Sequence, residues 1–384
     1  MDNFFSNLKY ICPTNLLESI EKFRLTESKI IWEIKNEIKP IDLYCYLVAK
    51  FGSPNGILTL FRNDDSDNLV HWDWILESEY GIITIQGHNF RTEIGIPKEI
   101  VDKGLTINDF IMQIKSDFKN YGKEISETKK SLEKWTEFIN PFFRIQSTIR
   151  ILFGKLEELN LDVEKDRIEH PSFFSEDQEE LNKIWTETLN KYDFATGLVY
   201  GIRSMLPVMA ESFINLLIFV LCKPEIKKNE RLYQSFLRQQ IDIRIQSLPI
   251  FCEGFELDID YTAKECRDFH TLINERNDLL HGNVNIDKQK FGEVYFNSNI
   301  PIFNEYQDFW WKLIGVSIQS VKFKSLYDDM LIIENFIDYI TSKLCIKTRN
   351  QIDLIMSKSR LGYNSKDDKV GILFPSHLID FRAK

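Results

Sequence analysis

The run Asn274-Glu275-Arg276-Asn277-Asp278-Leu279-Leu280-His281-Gly282-Asn283 decides how the C-terminal half of this chain is read. It closes a segment, about 262 to 281, in which Cys266, Phe269, Leu272, Ile273, Leu279 and Leu280 recur at the spacing of an amphipathic helix. Arg276 falls inside that apolar stripe, between Leu272 and Leu279. A guanidinium there must meet a carboxylate, a cleft or an interface, because a buried unpaired charge is costly. A polar stripe runs beside it, His270, Asn274, Asn277 and His281, at spacings of four, three and four. Gly282 supplies a helix stop.

The segments on either side are also helical. Ala195 to Leu221 is long and apolar, with a kink expected at Pro207 and a stop at Lys223-Pro224. Residues 229 to 247 carry Leu232, Phe236, Ile241 and Ile245 at helical spacing, and 325 to 344 carry Leu326, Met330, Ile333, Phe336, Ile337 and Ile340. An insertion at 287–322 separates the last two helices, with a strand-like run at Glu293 to Phe296 and then Trp310-Trp311. Residues 195–345 thus read as a helical bundle, and 346–384 as a C-terminal tail. The most apolar run, Phe213 to Cys222, is too short to span a bilayer and meets Glu211 and Arg203 when extended backward. A core helix is the expectation, with no membrane partner.

Residues 1–160 read as a small α+β domain. Leu16, Leu17, Ile20, Phe23, Ile30, Ile31, Ile34 and Ile38 suggest a helix over 14 to 38, ended by Pro40. Strand-like runs follow at Ile57 to Phe61, Leu69 to Ile75 and Ile82 to Ile85, separated by turn residues. Trp72 and Trp74 share one strand face, more often a face packed on a helix than a binding surface. Helical patterning resumes near Ile107 and is expected to run, kinked at Pro141, to about Leu159. Residues 161–194 form an acidic linker and a connecting helix, with Ser175 and Gln178 as a capping-box pattern and the domain boundary between about 160 and 175.

At 384 residues the chain is long enough for two domains, and 43% hydrophobic content allows a sizeable core. Lys and Arg number 48 against 58 Asp and Glu, a net charge of −10. That excludes a protein coated in nucleic acid through bulk charge, but not a local basic cleft, since exposed charges are screened within about 10 Å. Ten acids between Glu157 and Glu180 face only Lys165 and Arg167. Such a run is commonly a solvated linker; the sharper reading is a segment that occupies a basic groove and restrains activity. The six cysteines are scattered without a C-x-x-C pair, so neither a zinc site nor a disulfide framework is expected, and no cofactor. The N-terminal residues lack the basic region of a signal peptide, and a reduced cytoplasm is the expected location.

The residue types at the helix end suit phosphodiester chemistry. Arginine binds phosphate through a planar two-donor fork. Histidine takes a proton from a 2′-hydroxyl or gives one to a leaving 5′-oxygen near neutral pH. RNA carries its own nucleophile, so these parts can act without a metal, with Asn277 orienting phosphate or imidazole. Positions five apart lie about 140° apart on a straight helix. One copy therefore makes an awkward site unless the last turn unwinds at Gly282, whereas two copies about a two-fold axis can line one groove. The bland alternative is a helix C-terminus with a dipole-stabilising histidine and a glycine cap.

The Arg-x4-His run from Glu275 to Gly282, with four helices around it, resembles a HEPN domain over about 195–345, and Met209 to Leu217 resembles the first helix of many such domains. The resemblance implies a mainly α protein with a HEPN-like antiparallel bundle, a homodimer, and metal-independent RNA cleavage in a groove shared by two copies. Carried over, Arg276 and His281 are catalytic and Asn277 supports them, with Asp278, Asn274, His270 and Glu211 as secondary candidates. Glu211 reads equally well as a paired core carboxylate. HEPN toxins silenced by a nucleotidyltransferase antitoxin carry tyrosine two residues after the histidine; here Asn283 stands there, so such silencing is not expected. By analogy the resemblance implies an effector of antiviral, abortive-infection defence, with an inhibitor or trigger protein acting at the N-terminal domain. Two other readings stay open: a non-catalytic module for nucleotide binding, RNA binding or dimerisation, and a sensor subunit of a larger defence complex.

Overall fold

The computed structural model describes residues 4–15, 29–56, 69–168, 178–284, 286 and 290–373. The protein is mainly α, about 58% helical, with small antiparallel sheets. It divides into two units, one built from the residues up to Lys134 and the other spanning Trp135–Ile372.

In the first unit, β1 (Lys9–Tyr10), β2 (Lys29–Ile34), β3 (Trp72–Ser78), β4 (Gly81–Gly87) and β5 (Thr92–Pro97) form one antiparallel sheet in the order β1-β3-β4-β5-β2. Helices α1 (Pro40–Phe51), α2 (Lys98–Asp102), α3 (Ile107–Asp117) and α4 (Gly122–Ser131) complete it. Tyr46 and Leu47 of α1 and Phe110 and Ile114 of α3 share a core with Trp74, Leu76, Ile85 and Ile94 of the sheet. The paired tryptophans belong to that core. Trp74 is fully buried, and the Tyr44 ring lies 5.4 Å from it and 5.8 Å from Trp72.

Two expectations for this unit change. Residues 29–34 are not helical but form edge strand β2, in register from Lys29 opposite Pro97 to Ile34 opposite Thr92. The segment Lys-Ile-Ile-Trp-Glu-Ile is rich in β-branched residues, and pairing with β5 outweighs its helical spacing. Pro40 ends nothing; it sits in the first turn of α1, where its missing N–H is harmless. The rest of the expected helix, residues 16–28, and the expected strand at 57–61 lie outside the described residues.

The second unit begins with β6 (Thr136–Ile139) and α5 (Pro141–Glu158). The single helix expected from 107 to 159 is therefore broken. Asn140 caps α5, its side chain accepting from Phe142 N and Phe143 N, so Pro141 opens a helix rather than kinking one. Helices α6 (Gln178–Leu221), α7 (Pro224–Lys228), α8 (Glu230–Leu237), α9 (Ile241–Gln246), α10 (Leu248–Phe251) and α11 (Lys264–His281) follow. Then come a hairpin of β7 (Val294–Asn297) and β8 (Ile300–Phe303), a π-helical turn at Trp311–Gly315, α12 (Val316–Ser320), α13 (Leu326–Thr341), α14 (Ile346–Met356), β9 (Arg360–Asn364) and β10 (Lys369–Gly371). Residues 346–372 are thus part of the fold rather than a tail, since β9 pairs with both β10 and β6. That pairing, and α5 packed on α6, put the division at Lys134 rather than between 160 and 175.

Helices α5, α11 and α13 pack on α6. Phe213, Ile214 and Leu217 of α6 lie in their shared core, and Phe269 of α11 stacks on Phe336 of α13 at 4.1 Å. Glu179–Leu221 is the one described helix long and apolar enough to cross a membrane, and half of its most apolar window is buried in the protein. That fits a core helix, and Pro207 sits within it without ending it. The segment expected as one helix over 229 to 247 is instead α8 and α9, separated at Arg238 to Gln240. The capping box expected at Ser175 lies outside the described residues, as does the 169–177 part of the acidic stretch.

Candidate functional site at the end of helix α11

Helix α11 turns Cys266, Phe269, Leu272 and Ile273 into the core. The slot that Arg276 occupies in that stripe faces α6, where Glu211 stands: Arg276 Nη2 donates to Glu211 Oε1 at 2.6 Å. The side chains retain only 19% and 27% of their exposure, so the pair is sheltered from water. Arg276 Nε is buried with no hydrogen-bond partner among the described residues. The arginine and the carboxylate, both candidates on sequence grounds, therefore meet each other.

A second ion pair, of opposite sense, crosses the same interface one residue earlier on α11. Arg203 of α6 reaches Glu275 at 2.8 Å and Asp329 of α13 at 2.7 Å, and donates to Ser325 Oγ at 3.0 Å. Asp329 Oδ2 is close to Arg203 yet makes no hydrogen bond, because the approach is poorly aligned. Burial raises the Asp329 carboxyl to about 6, and the Arg203 charge offsets only part of that rise. Lys322 completes the network with an ion pair to Glu275. Arg203, Glu275, Lys322 and Asp329 were not among the sequence candidates. The available signal was charge in an apolar helix: Arg203 and Glu211, eight residues apart on α6, each require a partner.

His281 ends α11 and is exposed, as are Asn274 and His270, while Asn277 and Asp278 are half-buried. The polar stripe is therefore real as a surface. His270 Nδ1 lies 3.0 Å from the Tyr261 hydroxyl, which ties the far end of the stripe to the loop before α11. Among the described residues, His281 makes no side-chain hydrogen bond or ion pair. Gly282 adopts the left-handed conformation (φ 60°) and donates to Asp278 O, while Asn283 Nδ2 donates to Asp278 Oδ1. The last turn stays helical through His281, so the helix does not unwind to bring His281 round to Arg276. Leu280, expected in the core stripe, is exposed instead.

The space beside Arg276, bounded by Arg203, Pro207, Leu272, Leu279 and Asp329, is about 20 Å³. That holds a single water and no ribose-phosphate. Within one chain, then, a sheltered guanidinium and an exposed imidazole occupy different sides of α11. Among the described residues no three His, Cys, Asp or Glu side chains gather as a metal site.

The residues that follow His281 in sequence expose apolar side chains. Leu280, Val284, Ile286 and Phe291 are exposed, and the β7–β8 hairpin exposes both faces, with Tyr295, Phe296, Ile300 and Ile302 all at least half open. Two isolated strands are marginal in water unless something packs on them. In comparisons with known proteins, no family model matched the chain, and no curated protein or solved structure did.

Proposed function

We propose that the chain is a metal-independent endoribonuclease of HEPN type that works as a homodimer. The observation that carries this reading is that one helix end carries both an arginine fixed by Glu211 and an unengaged histidine, Arg276 and His281. Because the two side chains diverge on α11, the working site joins Arg276 of one copy to His281 of the other. The exposed apolar side chains of the β7–β8 hairpin support a second copy.

In the reaction, the ribose 2′-oxygen attacks the adjacent phosphorus while His281 handles the proton. The bond to the 5′-oxygen breaks, that oxygen is protonated, and the products are a 2′,3′-cyclic phosphate and a 5′-hydroxyl. Arg276 stabilises the charge that builds on the phosphoryl oxygens, Asn277 orients the phosphate or the imidazole, and Glu211 acts as a positioning residue through Arg276. An effector role in antiviral defence follows only from the family analogy. RNA incubated with the protein in EDTA tests the chemistry. Cyclic-phosphate ends that disappear in His281→Ala support it; cleavage that requires added metal, or that persists in His281→Ala, contradicts it.

The narrowness of the space at Arg276 favours one rival, a non-catalytic module in which Arg276 and Glu211 are a structural pair. RNA binding without cleavage under any condition would select that rival.

A further inference from the structure

A second cavity, about 600 Å³, opens between the loop after α5 and the π-turn with the segment that follows it. That volume lies within the ~300–1,000 Å³ typical of small-molecule sites. Its wall combines the half-exposed Trp311 ring with Ile318 and Phe323, and its rim carries Arg167, Lys322 and Lys324. Two carboxylates also line it: Asp308, held by Arg167 in an ion pair, and exposed Glu164. Among the described residues Lys324 makes no ion pair, so in a chain of net charge −10 this rim keeps a cation to offer.

Three features mark the wall as built rather than incidental. Trp311 starts a π-helical turn, an irregularity frequent at functional sites. A Cβ added at Gly315 would lie 2.2 Å from the Trp311 ring, so only glycine lets the indole lie on the backbone there. Lys322 is held in the left-handed region at φ 51°, a strained state for a lysine, with its carbonyl accepting from Arg203 at 3.4 Å.

We infer that this cavity binds a planar aromatic anion, its ring against Trp311 and its charged group at Lys324 and Lys322, and that binding is coupled to α11. The coupling runs through Lys322, which lines the cavity and also pairs with Glu275, the residue before Arg276. An anion at Lys322 competes with Glu275 for the same ammonium group. The chemistry fits two sources, a nucleotide or an aromatic carboxylate, and it uses no step of the nuclease reading.

Calorimetric titration of the full chain with AMP and with indole-3-acetate tests this. At least one ligand is expected to bind at one site per chain, with affinity at least tenfold weaker in Trp311→Ala and in Lys324→Glu. Lys324 is exposed, so its replacement leaves the fold intact. His281→Ala binds like the parent, which separates this result from any failure of the nuclease. Glu275→Gln binds several-fold tighter, because Lys322 is released. Binding of AMP alone selects the nucleotide source, and of indole-3-acetate alone the carboxylate. No binding of either, or unchanged binding in Lys324→Glu, overturns the site; unchanged affinity in Glu275→Gln overturns the coupling.

Discussion

Arg276 donates to Glu211 at 2.6 Å across the α6–α11 interface, in a setting sheltered from water. Removing one partner strands the other's charge, a larger loss than the net worth of the pair. Arg276→Ala and Glu211→Ala should therefore each cost about 2 kcal/mol, lowering the thermal midpoint by several degrees. The double variant Arg276→Leu with Glu211→Leu should recover most of that. A double-mutant cycle in urea measures the coupling, and a value near zero would show that the pair is only a near approach.

Asp329 gives a stability signature in pH. Burial raises its folded pKa to about 6, above the unfolded carboxyl near 4. The folded state thus holds the proton more tightly, and the stability this contributes is full below pH ~4 and lost as pH rises through ~6. The stability of the parent relative to Asp329→Asn should fall by about 2 kcal/mol between pH 4 and 7. Parallel stability curves over that range would show that Arg203 already holds the group ionised.

Gly282 holds a left-handed cap, φ 60°, directly after His281. Gly282→Ala should cost about 1 kcal/mol, because a Cβ is disfavoured there. If His281 is catalytic, the same variant should also reduce cleavage, since the last turn that aims the imidazole is disturbed. Activity lost without any stability change would point to a direct contact with RNA instead.

The β7–β8 hairpin should be where two copies meet. Light scattering is expected to give twice 45.5 kDa for the parent and a monomer for Phe296→Asp or Ile302→Asp. Both side chains are exposed, so the fold of a chain should tolerate the change. A parent that is monomeric at micromolar concentration would remove the shared groove.

Local pattern was a sufficient guide where an element is amphipathic and closed by its own caps. Helix α11, expected over about 262–281, spans Lys264–His281, because its apolar stripe and Gly282 are both local signals. Helix α13 follows the same rule, at Leu326–Thr341 against an expected 325–344. The misreadings involve partners distant in sequence. Strand β6 forms because β9 pairs with it from more than two hundred residues away, and β2 because β5 lies beside it. At the site, the stripe containing Arg276 showed that a partner was needed. Which carboxylate supplies it depends on how α6 lies on α11, and spacing along one helix carries no such information. The cavity at Trp311 was not legible either, since its walls come from segments on both sides of two long helices.

The central claim is that Arg276 and His281 act together from different copies, and co-expression of Arg276→Ala with His281→Ala tests it most directly. Each variant alone should be inactive on RNA in EDTA. If sites are shared across a two-fold, random pairing gives half mixed dimers with one intact site of two, and about a quarter of the parent activity returns. A mixed preparation as inactive as its parents, beside an active parent enzyme, would contradict the shared site, and a parent that cleaves no RNA would contradict the nuclease itself.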